Sequence, residues 1–170
     1  LVCWPLLFGV YYLLFLGYKS IDQAEFPEVS QELSQQIQAL GENPDEVDKG
    51  VVVTTSLHLQ LQREMDSTFG WSVNDLMISP SYYLDNRQNR QLGVIYATRM
   101  LQSYFSTNMA KLGPADMENE KLKECREKRL VYSAEIWGWF RSSAESEYEE
   151  AIELLEAYKK DLQEGAAMYN

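Results

Sequence analysis

The first eighteen residues, LVCWPLLFGVYYLLFLGY, carry no charged side chain. As a helix rising ~1.5 Å per residue they would reach ~27 Å, most of a ~30 Å hydrocarbon core. From Lys19 onward the chain is polar, acidic and patterned in helical periods. A core helix would show a polar face, and none precedes Tyr18 and Lys19. A secretory h-region runs ~7–15 residues to a small-residue cleavage site, which Leu16-Gly17-Tyr18-Lys19-Ser20 lacks. The stretch therefore predicts a single transmembrane helix over residues 1–19. Trp4 and Tyr18 suit the two interfaces, Pro5 sits in the tolerant first turn, and Phe8, Tyr11, Tyr12 and Phe15 line the span.

Charge bias sets the expected orientation. The flank Lys19-Ser20-Ile21-Asp22-Gln23-Ala24-Glu25 holds no positive cluster that would keep it in the cytoplasm. Because the chain opens at Leu1 rather than Met, a preceding segment carrying the missing Lys and Arg is expected. The expectation is a single-pass protein of the bacterial inner membrane, with its acidic domain in the periplasm.

The chain sets 15 Lys plus Arg against 26 Asp plus Glu, a net charge of −11. That sign opposes phosphate backbones and anionic lipid surfaces, and nucleic acid is excluded as a partner. The roughly 150 residues after the span suffice for one domain with its own core. Of the two cysteines, Cys3 lies in the span and Cys125 in the charged run 121–129, so no disulfide and no metal-ligand spacing arises. No metal and no cofactor is expected. Cys125 reads as an incidental surface thiol, although Lys123, Arg126, Lys128 and Arg129 beside it would favour a thiolate.

Past the span the periodicity is helical, which predicts an all-α fold. Residues 20–50 read as a linker and a first amphipathic helix, with Val29, Leu33, Ile37 and Leu40 as its apolar stripe before Gly41 and Pro44. Residues 51–170 read as the helical periplasmic domain. Val51-Val52-Val53 is taken as an extended lead-in, capped by Thr or Ser, to a helix bearing Leu57, Leu61 and Met65. Residues 67–90 are irregular, with Phe69-Gly70-Trp71, Asn74-Asp75, Ser79-Pro80-Ser81 and Leu84-Asp85-Asn86, a long loop of the kind that is functional or packed by its own side chains. A helix from Gln91 presents Leu92, Ile95, Tyr96, Met100, Tyr104 and Phe105 as its core face and ends near Gly113-Pro114. A charged helix from Asp116 leads to the aromatic stretch 136–140. The last helix begins at Ser142 or Ser146, each followed three residues on by a Glu as a capping box requires, with Tyr148, Ile152, Leu155, Tyr158 and Leu162 inward.

Three blocks in order carry a resemblance. GVVVTTS (residues 50–56), SVNDLMISPSYYLDN (72–86) followed by QLGVI (91–95), and SSAESEYEEAIELLEAY (142–158) resemble the bacterial family called domain of unknown function 2333. Its blocks run TTST, a loop with SND and WLDN, EFGVL, and SSESEY before a leucine-rich helix. Here Tyr83 replaces the Trp of WLDN, Gln91-Leu92 replace Glu-Phe, and Ala144 is an extra residue. The resemblance implies a membrane span followed by a helical domain, and members long enough that a further C-terminal half is expected here. It implies no activity.

The residues offer little to an enzyme. His58, the single histidine, lies in Leu57-His58-Leu59 with no nucleophile elbow nearby, and reads as an ordinary helix-surface residue. Glu145-Ser146 is the one catalytic alternative, because lytic transglycosylases use a glutamate placed before a serine. Acid catalysis needs a carboxyl in an apolar cleft, whereas Glu145 stands among acids that a helix start favours. The acidic clusters 42–48 and 116–120 lack the alternating ligands of a calcium loop. Trp71, Tyr82, Tyr83, Trp137, Trp139 and Phe140 are the expected docking residues, since aromatics dominate interface hot spots. Two function classes follow: a non-catalytic accessory or scaffold subunit packed against a larger inner-membrane complex, and a periplasmic envelope enzyme or binding module acting through Glu145.

Overall fold

Asp48 opens the central helix of the domain by accepting the backbone N–H groups of Gly50 and Val51 at 2.6 and 3.3 Å on its Oδ1, two of the donors a helix start leaves unpaired. The computed structural model describes residues 3–24, 29–40, 48–110, 118–138 and 141–169. Its helices in chain order are α1 (Cys3–Ala24), α2 (Val29–Leu40), α3 (Lys49–Asp66), α4 (Asp85–Tyr104), α5 (Glu120–Glu124) and α6 (Ala144–Gln163). A 3-10 turn (Pro80–Tyr83) precedes α4, and single π turns, Phe105–Met109 and Cys125–Arg129, extend α4 and α5. No strand occurs among the described residues, so the fold is all-α.

The main contact joins α3 to α6. On α6 the buried residues Tyr148, Ala151, Leu155, Tyr158 and Leu162 recur every three or four positions, as an amphipathic helix requires. They meet Val51, Leu57 and Leu61 of α3, with Phe105 edge-on to Tyr158 at 5.7 Å. Ser143 caps α6 by accepting from Ser146 N at 3.2 Å, one residue from the expected Ser142. At its far end Gly165 takes φ +70, and the N–H groups of Gly165 and Ala166 donate to Leu162 O and Asp161 O, the glycine-dependent stop of a helix. The chain end then folds back so closely that a Cβ on Gly50 would lie 2.6 Å from that of Tyr169. The valines of 51–53 are helical rather than extended, because Asp48 supplies the cap one turn earlier than Thr or Ser would.

The helix α4 corrects the periodicity reading. It starts at Asp85, six residues before Gln91, and its buried face is Arg87, Gln91, Ile95, Thr98 and Gln102, while Tyr96, Met100, Leu101 and Tyr104 face outward. The polar side chains are inside because irregular backbone lies on either side of them. Arg87 and Gln91 donate to Gly70 O, Gln88 to Ser72 O and Tyr82 O, Arg99 to Leu130 O, and Gln102 to Leu122 O. Buried carbonyls outside a helix or sheet need such donors.

The crossing helix expected over residues 1–19 is not found: among the described residues no helix is long and apolar enough to cross a membrane. A helix does form there, α1, and it continues through Lys19 and Asp22 to Ala24. Two glycines and three tyrosines dilute its apolar content. Part of it is also occupied by the domain. Tyr11, Phe15 and Tyr18, expected to line the span, are half-buried and Asp22 is buried, a stripe at helical spacing. Tyr18 stacks on Phe69 at 4.3 Å and Tyr11 lies edge-on to Tyr83 at 6.4 Å. The rest of α1, with Trp4, Phe8, Tyr12 and Leu13, is exposed. Helix α2 lies on α3, with Leu33 and Ile37 half-buried and Glu32 paired to Arg63 at 3.1 Å.

Candidate functional site

Residues 67–84 connect α3 to α4 with only the one short 3-10 turn, so their backbone needs side-chain partners, which Arg87, Gln88 and Gln91 at the start of α4 supply. Arg87, in the first turns of α4, is fully buried. Its Nε donates to Ser72 Oγ at 2.5 Å, Nη1 to Asp22 Oδ1 at 2.7 Å, and Nη2 to Gly70 O at 2.6 Å and to Ser67 Oγ. The ring of Phe69 covers its guanidinium at 5.6 Å. Gln91 adds a reciprocal pair, accepting from Ser72 N at 2.9 Å and donating to Gly70 O at 2.9 Å. Arg90 binds Glu64 at 3.0 Å and reaches Asp22 at 3.5 Å. These contacts fix α1 to the domain. The guanidinium spends its donors on protein groups, so Arg87 acts as a fastener.

Beside this cluster lies a cavity of about 270 Å³, whose lining includes Phe15, Lys19, Asp22, Tyr83, Asp85 and Arg90. Its walls carry both charge signs and, among the described residues, present no Ser, Cys or His.

The Asn74-Asp75 pair braces the loop. Asn74 Nδ2 donates to Ile136 O at 3.1 Å and to Glu145 Oε2 at 3.2 Å. Ser81 Oγ donates to Asp75 Oδ2 at 2.5 Å. Burial pushes the Asp75 carboxyl above its usual range, with the Ser81 hydrogen bond opposing and Glu145 adding to the rise. Glu145 is thus a half-buried first-turn acid of α6 tied to an amide.

The expected docking residues separate. Trp71 belongs to the core: it is buried, donates Nε1 to Ala134 O at 2.9 Å and lies edge-on to Tyr148 at 5.1 Å. Its indole fills the space between the loop and α6 that small loop residues leave. Tyr148 donates to Tyr132 O at 2.9 Å, and burial pushes its phenol up to about 12. Tyr82 is half-buried, edge-on to the exposed Tyr83 at 5.3 Å. Trp137 is exposed, whereas Trp139 and Phe140 lie outside the described residues.

Cys125 and His58 are not the surface positions expected of them. Cys125 is buried in the core, its Sγ facing Ala151 O at 3.8 Å, and burial pushes its thiol up to about 12 despite the basic neighbours in sequence. Burial likewise lowers the His58 pKa below its ordinary value, with Glu156, 3.6 Å away, opposing and Lys159 adding to the fall. Among the described residues no group of three or more His, Cys, Asp and Glu is arranged to hold a metal ion.

Sequence reasoning missed two features. One is Arg87, a charged residue that nothing in the local pattern marks as buried. The other is the exposed apolar face of α4, whose residues have core spacing. The blocks that carry the family resemblance are structural in this fold: Ser143 caps α6, Tyr148 is core, and Glu147 pairs with Arg129 at 2.6 Å, a hydrogen bond that holds its carboxyl below the usual range. No curated protein and no solved structure matches the chain. The sequence model of one family matches residues 3–169, and the chain belongs to that family, uncharacterized protein conserved in bacteria (DUF2333).

Proposed function

We propose that the chain is a non-catalytic accessory subunit held at the bacterial inner membrane by α1, with its acidic domain in the periplasm and docked on a larger membrane complex. The observation that carries the reading is the inverted polarity of α4. Tyr96, Met100 and Tyr104 recur every fourth residue on its outer face, joined by Leu101, and Met100 is 75% exposed. A surface helix with its polar side chains inside and its aromatic ones outside has the composition of an interface core. Support for the membrane half of the reading comes from α1, where Trp4, Leu6, Leu7, Phe8, Leu13 and Leu14 are all exposed around a helix without charge before Lys19. An exposed apolar surface of this extent marks a protein or lipid contact.

The test is purification of the tagged full chain from native membranes. The reading expects a stoichiometric membrane-protein partner that is lost on Met100→Glu with Tyr104→Glu and kept on Glu153→Lys, a control on the exposed side of α6. A parent chain that leaves the membrane on a carbonate wash, or a double variant that keeps its partner, refutes it. The envelope-enzyme alternative through Glu145 is sunk if Glu145→Gln leaves the cell-wall phenotype of the parent intact.

A further inference from the structure

Residues 76–84, Leu-Met-Ile-Ser-Pro-Ser-Tyr-Tyr-Leu, are nine positions without a charge, bounded by Asp75 and Asp85. At their tip Leu76, Met77 and Ile78 are exposed, Met77 by 66% and Ile78 by 81%. Three consecutive apolar side chains in water are costly, at ~25 cal/mol per Å² of apolar surface. The turn that follows them packs on α1, where Tyr83 meets Tyr11.

The two uncharged segments share one boundary. Lys19 and Asp22 at the end of α1, and Asp85 and Arg90 at the start of α4, line a single cavity together with Phe15 and Tyr83. Along the sequence α1 has no charge from Lys19 back to Cys3, and the turn has none from Asp85 back to Leu76. Tyr11 lies eight residues before Lys19, ~12 Å along the helix axis. The headgroup layer is only ~5–7 Å deep on each side of the hydrocarbon core. If Lys19 sits among headgroups, the Tyr11–Tyr83 contact carries the turn to the edge of the hydrocarbon.

We infer that the turn of residues 76–84 is a second membrane-contacting element, with Leu76, Met77 and Ile78 seated at the acyl–headgroup boundary of the bilayer that α1 enters. The inference rests on the membrane reading of α1 given above. Part of the backbone is paired within the turn. Ser79 N donates to Leu76 O at 2.8 Å, Tyr82 N to Ser79 O at 3.2 Å and Leu84 N to Ser81 O at 3.0 Å, while Pro80 has no N–H to satisfy. Ser81 Oγ donates to Asp75 Oδ2 at 2.5 Å and accepts from the Ser79 hydroxyl at 2.5 Å.

The experiment uses the full chain with Cys3→Ser and Cys125→Ala and one new cysteine at a time, labelled with bimane and reconstituted in phosphatidylethanolamine and phosphatidylglycerol vesicles. Reporter sites are Leu13→Cys on α1, Ile78→Cys and Met77→Cys on the turn, and Glu153→Cys on α6. Brominated acyl chains should quench most of the emission at Leu13, Ile78 and Met77 and leave Glu153 unchanged, and aqueous iodide should do the reverse. Lipid quenching at Leu13 with iodide quenching at both turn sites overturns the inference and leaves the reading of α1 standing. Iodide quenching at Leu13 overturns that reading and the inference with it. Turn labels shielded from both quenchers would show a protein cover, which also overturns the inference.

Discussion

The substitution Asp22→Ala removes the carboxylate that bonds the buried Arg87 at 2.7 Å. Arg87 is fully buried and the Asp22 side chain is 11% exposed, so the pair belongs with buried ion pairs, where loss of one partner costs ~3–5 kcal/mol by stranding the other charge. Arg87 keeps neutral acceptors on Ser72, Gly70 and Ser67, which places the loss at the lower end, about 3 kcal/mol. At ~2–4 °C per kcal/mol for a chain of this size, the midpoint should fall by about 6–12 °C. The assay is thermal unfolding of the full chain in mild detergent, followed by circular dichroism, with limited proteolysis reporting release of α1. Arg87→Met alone should cost more, because it strands the Asp22 carboxylate and removes a donor from both serines, while Gln91 still serves Gly70 O. A midpoint for Asp22→Ala that stays within the ~0.5 kcal/mol scatter of surface substitutions would refute the buried clamp.

The lowered pKa of His58 means that below about pH 6.5 the unfolded chain binds a proton that the folded protein resists. Stability is therefore full above that value and falls as pH drops toward the folded pKa. His58→Gln should flatten this part of the profile, and parallel profiles for parent and variant would contradict it. Cys125 should resist aqueous thiol reagents in the folded protein and react fully in denaturant, whereas Cys125→Ser should cost about 1–2 kcal/mol by placing a hydroxyl in the core. Rapid labelling of the folded protein would show that the thiol is not enclosed. A cysteine at Asn43, in a chain lacking Cys3, should be labelled by an impermeant reagent from outside the inner membrane, and labelling only after lysis would sink the periplasmic orientation.

Where apolar spacing and burial agree, the sequence is readable. The α6 stripe of Tyr148, Leu155, Tyr158 and Leu162 is inside as its period requires, with Ala151 rather than Ile152 completing it. On α4 the same rule selects Tyr96, Met100 and Tyr104, and all three are outside. Periodicity measures which side chains share a face and says nothing of what the opposite face must satisfy. Here the opposite face is decided largely by carbonyls of residues 70, 72, 122 and 130, distant in sequence from the donors that bind them. Such pairings leave no local signal, and Arg87 was invisible for that reason. Trp71 illustrates the converse: an aromatic in an irregular loop has the composition of a docking residue, but its indole N–H finds Ala134 O sixty-three positions away and the ring goes to the core.

The polar interior of α4 also links the two halves of the proposed function. Its first turns hold α1 through Arg87 and Asp22, and its outer face carries Tyr96, Met100 and Tyr104 some 14–26 Å further along the axis, at ~1.5 Å per residue from Arg87. A partner seated on that face is therefore placed at a set distance from α1 by one continuous helix. Loops at the same positions would have to be ordered first, at ~1–2 kcal/mol of backbone entropy per residue. The buried donors serve this arrangement by holding the irregular segments in place on the inner face, opposite the exposed Tyr96, Met100 and Tyr104. An apolar inner face would have removed the fastener, and with it the fixed placement of α1 relative to the proposed docking residues, which is why the inverted polarity of α4 is the feature on which the functional reading turns.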